Sequence, residues 1–253
     1  MLECNVVQLK NVPILTQLKW EEALLRTKHD NWCLINQGSP PAVVLGISGR
    51  VDELINLNYF YQNPIPLIRR FSGGGTVVVD ENTIFVTFIC HASQLSISPF
   101  PQHIMQWTEE FYRPIFPTHP FQLKENDYVM GLRKFGGNAQ SITKNRWLHH
   151  SSLLWDFCYD KMQYLSLPKK RPHYRKDRSH LDFLCSLKDF CSDQSKFQDQ
   201  LLNRLEQKFS LKHCSINDLK EISQIPHRHI TQEIFFRFFY EFFYHKKCFP
   251  FYY

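Results

Sequence analysis

Arg69-Arg70-Phe71-Ser72-Gly73-Gly74-Gly75-Thr76 stands between two apolar runs, Ile65-Pro66-Leu67-Ile68 and Val77-Val78-Val79. The chain has nine glycines, and three of them are consecutive here. Glycine lacks a Cβ, so it reaches positive φ freely and lets other groups approach the backbone closely. Successive exposed N–H groups in such a bend make a concavity that suits anions. Two arginines at its mouth add fixed charge and forked donors that match carboxylate or phosphate. The plain alternative is a strand–loop–strand hairpin with polar decoration, although a hairpin needs only one or two glycines. Arg69 and Arg70 alternate along a strand, so they are expected on opposite faces, with one of them at a ligand. The other is then a contact for a partner or a solvated charge.

A second cluster repeats the pattern. Lys134-Phe135-Gly136-Gly137-Asn138-Ala139-Gln140 places a cation before adjacent glycines and a short strand. Arg146-Trp147-Leu148-His149-His150-Ser151-Ser152-Leu153-Leu154 follows after a polar turn. With Asn126-Asp127 between the two glycine clusters, four motifs stand in order over residues 69–154. In that order they resemble the lipoate–protein ligases of the biotin/lipoyl ligase superfamily, over about residues 5–190. That family carries an Arg-Arg-x-Ser-Gly-Gly-Gly loop, an Asn-Asp pair, a Lys-x-x-Gly-x-Ala-Gln segment and a His-His-x-x-Leu-Leu strand.

The resemblance implies an α+β fold, a mixed β-sheet flanked by helices. It implies that ATP activates lipoic or octanoic acid as an acyl-adenylate, and that a lysine on a lipoyl carrier domain then takes the acyl group. Such carriers belong to 2-oxoacid dehydrogenase complexes or to the glycine-cleavage system. The chemistry has a physical demand: a carboxylate and an α-phosphate must be brought together despite their like charge, and the mixed anhydride must be kept from water. A lysine ammonium between them offsets the repulsion and the developing charge. Lys134 matches the family lysine with that role; otherwise it is a solvated surface charge. By the match, Arg70, Ser72, Gly73, Gly74, Gly75, Thr76, Val77 and Val78 line the acyl and adenylate path, with Gly137, Ala139 and His150 opposite. Asn126 and Asp127 are candidates for ribose, phosphate or Mg²⁺ contact, Asp127 being the metal candidate, or they serve a turn. One of His149 and His150 is expected to be a structural histidine, and adjacent strand positions diverge too far to share a metal.

The chain's 253 residues suit one large domain or one domain with an appendage. With 43% hydrophobic and 15% aromatic residues it reads as globular. A net charge of +6 suits anionic ligands or acidic partner surfaces and is no nucleic-acid signature. No P-loop sequence occurs, so ATP would be held in another way. The eight cysteines form no C-x-x-C pair, which argues against a common zinc site. With no signal-like start and no apolar run of ~18 residues, reduced thiols, a cytoplasmic setting and no membrane span are expected.

Strands are expected at 6–9, 32–35, 42–47, 67–70, 76–79, 83–89, near 121–130 and over 137–157. Helices are expected from Pro13, from Pro101 to before Pro114, and over 195–208. The resemblance gives a catalytic unit over 1–190 and a helical extension over 191–253. The end of that extension, 229–245, is nearly all aromatic and reads as a helix packed on the sheet, on a second copy or on a membrane surface. Segment 168–180 holds six basic residues. It is a solvated loop, an electrostatic guide for an acidic carrier domain, or a cover over the adenylate.

Three departures from the family pattern stand out. Phe71 replaces a common polar residue, Ser151 replaces the glycine after His-His, and the chain is shorter than bacterial ligases that carry an accessory domain. Residues 190–253 replace that domain, a separate subunit supplies it, or the ATP step is absent. The last option leads to an ATP-independent octanoyltransferase with Cys185 as thioester nucleophile, against the reading of Cys185 as inert core. The arginine- and glycine-interspersed loop of biotin ligases is missing. A catalytically silent lipoate-binding protein is the remaining rival.

Overall fold

A computed structural model describes residues 1–167 and 171–235. The opening apolar alternation forms β1 (Leu2–Lys10). Asn11 turns the chain at a φ of 52°, a conformation that asparagine tolerates well. Pro13 then leads into α1 (Ile14–Thr27). The β-branched and apolar runs that follow form β2 (Trp32–Gln37) and β3 (Ala42–Leu45). Two short helices, α2 (Val51–Leu54) and α3 (Leu57–Gln62), come before β4 (Leu67–Arg69). After the glycine loop come β5 (Val77–Val79) and β6 (Thr83–His91).

Pro101 opens α4 (Pro101–Tyr112) at the position where a missing N–H does no harm. A 3₁₀ turn over Arg113–Ile115 takes in Pro114 and ends it. Then come β7 (Phe121–Lys124), β8 (Asp127–Met130), β9 (Arg133–Ile142) and β10 (Arg146–Leu154). Further on lie α5 (Tyr159–Met162), α6 (His180–Phe183) and α7 (Gln194–Lys208). The described chain closes with β11 (Phe209–His213), α8 (Ile216–Ser223) and β12 (Gln232–Glu233).

Eight strands make the main sheet, in the order β11-β1-β2-β6-β10-β9-β8-β7. It is mixed: β1 runs parallel to β2 and β11, and the β2–β6–β10–β9–β8–β7 stretch is antiparallel. A second sheet has the order β12-β4-β3-β5. In it, β4 lies parallel and β5 antiparallel to the same strand, β3. The glycine loop is therefore not a hairpin, because its two flanking strands do not touch each other. They bracket β3.

The core is largest on the α4–α7 side of the main sheet, around Trp147, Tyr128, Phe88 and Phe111. In α7, Phe197, Leu201 and Leu205 repeat every four residues and are buried there, each worth about 1.5–3 kcal/mol of transfer energy. β11 adds the outermost strand beside β1, so residues past 190 are built into the main sheet. Phe71 is buried against the cluster of Trp20, Leu34 and Leu148, which accounts for an apolar residue at that position. The aromatic helix expected over 229–245 begins here as the strand Gln232–Glu233, and from 236 onward it lies outside the described residues. No helix among the described residues is long and apolar enough to cross a membrane.

Candidate active site

A cavity of about 890 Å³ opens between the two sheets and α1. Part of its wall is apolar: Ile14 and Leu18 of α1, Val44 of β3, Val77 and Val79 of β5, and Phe85 of β6. Another part is charged, from Lys134, Asp127, Arg171, Arg175 and His180. Gly74, Gly75 and Thr76 line it as well, with Gly137, Ala139 and His150.

The glycine loop is shaped from within. The Arg70 guanidinium is buried and donates from Nε to Ser72 Oγ (3.0 Å) and from Nη2 to the carbonyls of Gly73 and Gly75 (2.9 Å each). Burial pulls its pKa down to about 10, partly offset by the Glu21 carboxylate. Gly74 sits at a φ of 104°, and a Cβ there would stand 2.7 Å from Arg70 Nη2, so only glycine fits without strain. Arg69 is not a free surface charge. Its Nη1 donates to the carbonyls of Gly46, Ile47 and Gly49 at 3.3, 3.1 and 2.7 Å, tying down the turn after β3.

A buried polar chain runs behind the loop. Ser72 Oγ meets His150 Nε2 at 2.9 Å, and His150 Nδ1 meets Glu21 Oε2 at 2.8 Å. The other Glu21 oxygen accepts from Gln17 Nε2 and from Thr87 Oγ1, both at 2.7 Å. Three expected lining residues fall outside the cavity. Ser72 and Gly73 lie behind the loop, and Val78 points away into the cluster of Val43, Leu45 and Phe60, as alternation along β5 requires. His149 is the structural histidine. It is fully buried among Tyr128, Gln140 and Ser151, and burial and neighbouring His150 push its pKa down to about 3. Ser151, where the family pattern has glycine, donates to Asn138 Oδ1 at 2.7 Å.

The charged part of the wall is built around a β-bulge. The β8–β9 register slips between Tyr128 and Val129, so Phe135 is the extra residue between Lys134 and Gly136. Lys134 Nζ pairs with Asp127 Oδ1 at 2.8 Å. Tyr174 Oη donates to Asp127 Oδ2 at 2.7 Å. Burial, with that carboxylate beside it, holds the Tyr174 phenol far above its usual range. A Cβ on Gly137 would stand 3.2 Å from Lys134 Nζ, so its absence makes room for the ammonium. Asn126 is exposed at the rim, and its carbonyl accepts from Asn138 Nδ2 at 3.0 Å.

Part of the basic segment closes over this end. Arg175 is only 5% exposed and stacks over Phe183, as does Arg178. The adjoining chain is laid along β9: Cys185 N–H donates to the Lys134 carbonyl at 2.9 Å. The His180 imidazole is pushed down to about 4 by burial, Arg175 and Lys134. Of the described part of segment 168–180, Arg171, Pro172, Arg175 and His180 thus form a wall of the cavity, while His173, Lys176, Asp177 and Ser179 are exposed. Arg175 and His180 are site residues that periodicity could not single out, because they come from irregular chain between short helices.

Two cavity-lining residues each carry a buried polar atom with no partner, Thr76 Oγ1 and Arg175 Nη2. Unpaired buried donors of this kind suit a polar ligand. Both Asp127 oxygens are engaged, by Lys134 and by Tyr174, and no cluster of three metal-ligating side chains occurs among the described residues. A magnesium ion at Asp127 would share that carboxylate with both and would draw its other ligands from phosphate and water. Cys185 does not line the cavity; burial pushes its thiol up to about 11, which leaves little thiolate at neutral pH. The other cysteines among the described residues are free as well.

Residues 13–234 match the family model of the lipoyl protein ligase A/B catalytic domain. The chain is 32% identical over 193 residues to the inactive lipoate–protein ligase 2 of Plasmodium falciparum, covering 62% of this chain and 50% of that protein. It is 26% identical over 200 residues to lipoate-protein ligase LplJ of Bacillus subtilis, covering 76% and 56%. The chain thus spans about half the length of these relatives. The fold superposes on a bipartite lipoate protein ligase of Thermoplasma acidophilum with a TM-score of 0.73 at 17% identity, over 88% of this chain and 91% of that one. Lipoate-protein ligase A bound with ATP gives 0.72 at 17% identity, over 88% and 93%.

Proposed function

The chain belongs to the lipoyl protein ligase A/B catalytic-domain family, and on that premise we propose that it activates lipoate or octanoate with ATP as an acyl-adenylate. We propose further that it passes the acyl group to a lysine of a lipoyl carrier domain, of a 2-oxoacid dehydrogenase complex or of the glycine-cleavage system. One observation carries the reading: a single cavity joins an apolar wall to a cluster of cations across a glycine-lined bend. An amphiphile with a carboxylate head fits that division. Lys134, held beside Asp127, is where carboxylate and phosphate charge would be brought together. The unpartnered Arg175 Nη2 and Thr76 Oγ1 are donors suited to a nucleotide, whose triphosphate supplies the leaving group. Arg70 acts by holding the bend, and His150 and Glu21 hold Arg70's partner Ser72. No step is assigned to a metal on Asp127.

A second reading, lipoate binding without chemistry, draws support from the name of the Plasmodium falciparum relative. The two are separated by ATP/pyrophosphate exchange measured with lipoate, octanoate and biotin side by side. Exchange dependent on lipoate or octanoate, lowered by about 10²–10³ in Lys134→Ala with an unchanged circular dichroism spectrum, is the expected result. Cys185→Ala should retain it. Lipoate binding with no exchange would favour the silent binder. Acyl transfer from acyl carrier protein without ATP, lost in Cys185→Ala, would replace the ligase reading altogether.

A further inference from the structure

A second depression, of about 500 Å³, lies beyond the C-terminal end of α1. Its walls come from the end of α1, the β9–β10 turn, and the segment before β12. β10 runs from Arg146 here to His150 in the main cavity, about 13 Å along the strand at ~3.3 Å per residue. Arg26, Lys28, Lys144, Arg146 and Arg228 line the depression together with three histidines, and no carboxylate does.

The balance of charge around it is one-sided. Arg26 is matched by Glu22 at 3.0 Å. Lys28, Lys144 and Arg228 make no ion pair among the described residues. Arg146 is 5% exposed, and its Nη2 donates to the Asp30 carbonyl at 3.0 Å, while its Nε and Nη1 are buried and have no acceptor. The Asp30 carboxylate acts on it only through space. A buried guanidinium without a bonded anion is unfavourable. Cations at a helix C-terminus complement its dipole, which explains Arg26 and Lys28 but not the three from other elements. The wall is also fixed in place. The Glu22 carboxylate accepts the backbone N–H groups of Ile230 (3.0 Å) and Thr231 (2.9 Å), clamping this segment to α1.

We propose that this depression binds phosphate, as the free ion or as a small soluble phosphomonoester, with Arg146 as its charged floor and Lys28, Lys144 and Arg228 as contacting cations. A one-signed concavity concentrates anions. A tetrahedral dianion has enough oxygens to meet several donors converging from different elements.

The test is calorimetric titration of the full chain with inorganic phosphate and with glycerol 3-phosphate. Wild type, the double variant Lys144→Gln/Arg228→Gln, and Lys134→Ala as a control for the main cavity are compared. Both substituted cations of the double variant are exposed, and circular dichroism checks its fold. The expected result is one binding event per chain that persists in Lys134→Ala and weakens about tenfold or more in the double variant, the loss of ~1.4 kcal/mol or more. Tighter binding of glycerol 3-phosphate marks the natural ligand as a phosphomonoester, and tighter binding of inorganic phosphate marks it as the free ion. No binding by wild type, binding unchanged in the double variant, or binding abolished by Lys134→Ala would each overturn the proposal.

Discussion

At the scale of single residues, the least visible position is Gly46. A Cβ there would lie on top of the Gly74 carbonyl oxygen, backbone against backbone, where nothing flexible can give way. Gly46→Ala should lower stability by about 1–3 kcal/mol in urea unfolding and loosen the glycine loop; an unchanged midpoint would disprove the contact. His149 governs a pH response. Its folded pKa of about 3 lies below the ~6.5 of an exposed imidazole, so the unfolded chain binds the extra proton and stability falls as pH drops from ~6.5 towards 3. His180, at about 4, acts in the same direction. Between pH 7 and 5 the His149 contribution is about 2 kcal/mol. His149→Gln should show a correspondingly shallower acid loss in urea midpoints, and an equal slope would refute it. His149 and His150 were distinguishable in advance only as residues on opposite faces. Which one faces the cavity depended on how β10 pairs with β6 and β9.

At the scale of elements, the strap from 171 to 185 is folded on itself by two guanidinium groups over the Phe183 ring, and it is tied to the charged end of the cavity by Tyr174 Oη on Asp127, Arg178 on the Leu132 carbonyl and the Cys185 amide on the Lys134 carbonyl. Phe183→Leu removes the stacking face while keeping an apolar side chain. It should speed proteolysis within 171–183 and leave the global melting temperature within about 2–4 °C, the shift expected for ~1 kcal/mol in a chain of this size. Equal proteolysis rates would show that the ring does not hold the strap. Long periodic elements such as α1, α4 and α7 were readable in the sequence, because their apolar spacing and prolines act locally. β11 was not, and although strands over 42–47, 67–70 and 76–79 were, their separation into a second sheet was not, because which strands pair depends on partners distant in sequence. The glycine loop was legible as a bend, but not as one whose flanks both rest on β3. Ser215 and Asp218, which cap α8 reciprocally, are a local sequence signal for the start of that helix.

Across the whole molecule, one buried carboxylate joins the layers. Glu21 on α1 holds Thr87 on β6 and His150 on β10, and through His150 it reaches Ser72 and the glycine loop. Glu21→Ala leaves three buried polar groups without their acceptor and should destabilise by about 3–5 kcal/mol, as breaking a buried charged network does. Glu21→Gln, which keeps the volume and one acceptor, should be milder. Equal effects in thermal unfolding would show that packing, and not the network, is what matters.

Lys134 and Asp127 give the cavity a threshold of its own. Because the ammonium already has a counter-ion, an arriving acid group does not neutralise a naked cation. It would meet an ammonium already partly compensated, and would either share its three N–H donors with Asp127 or displace that carboxylate, which Tyr174 holds in place. A ligand that offers more negative charge than a lone monoanion would then gain more from the same lysine.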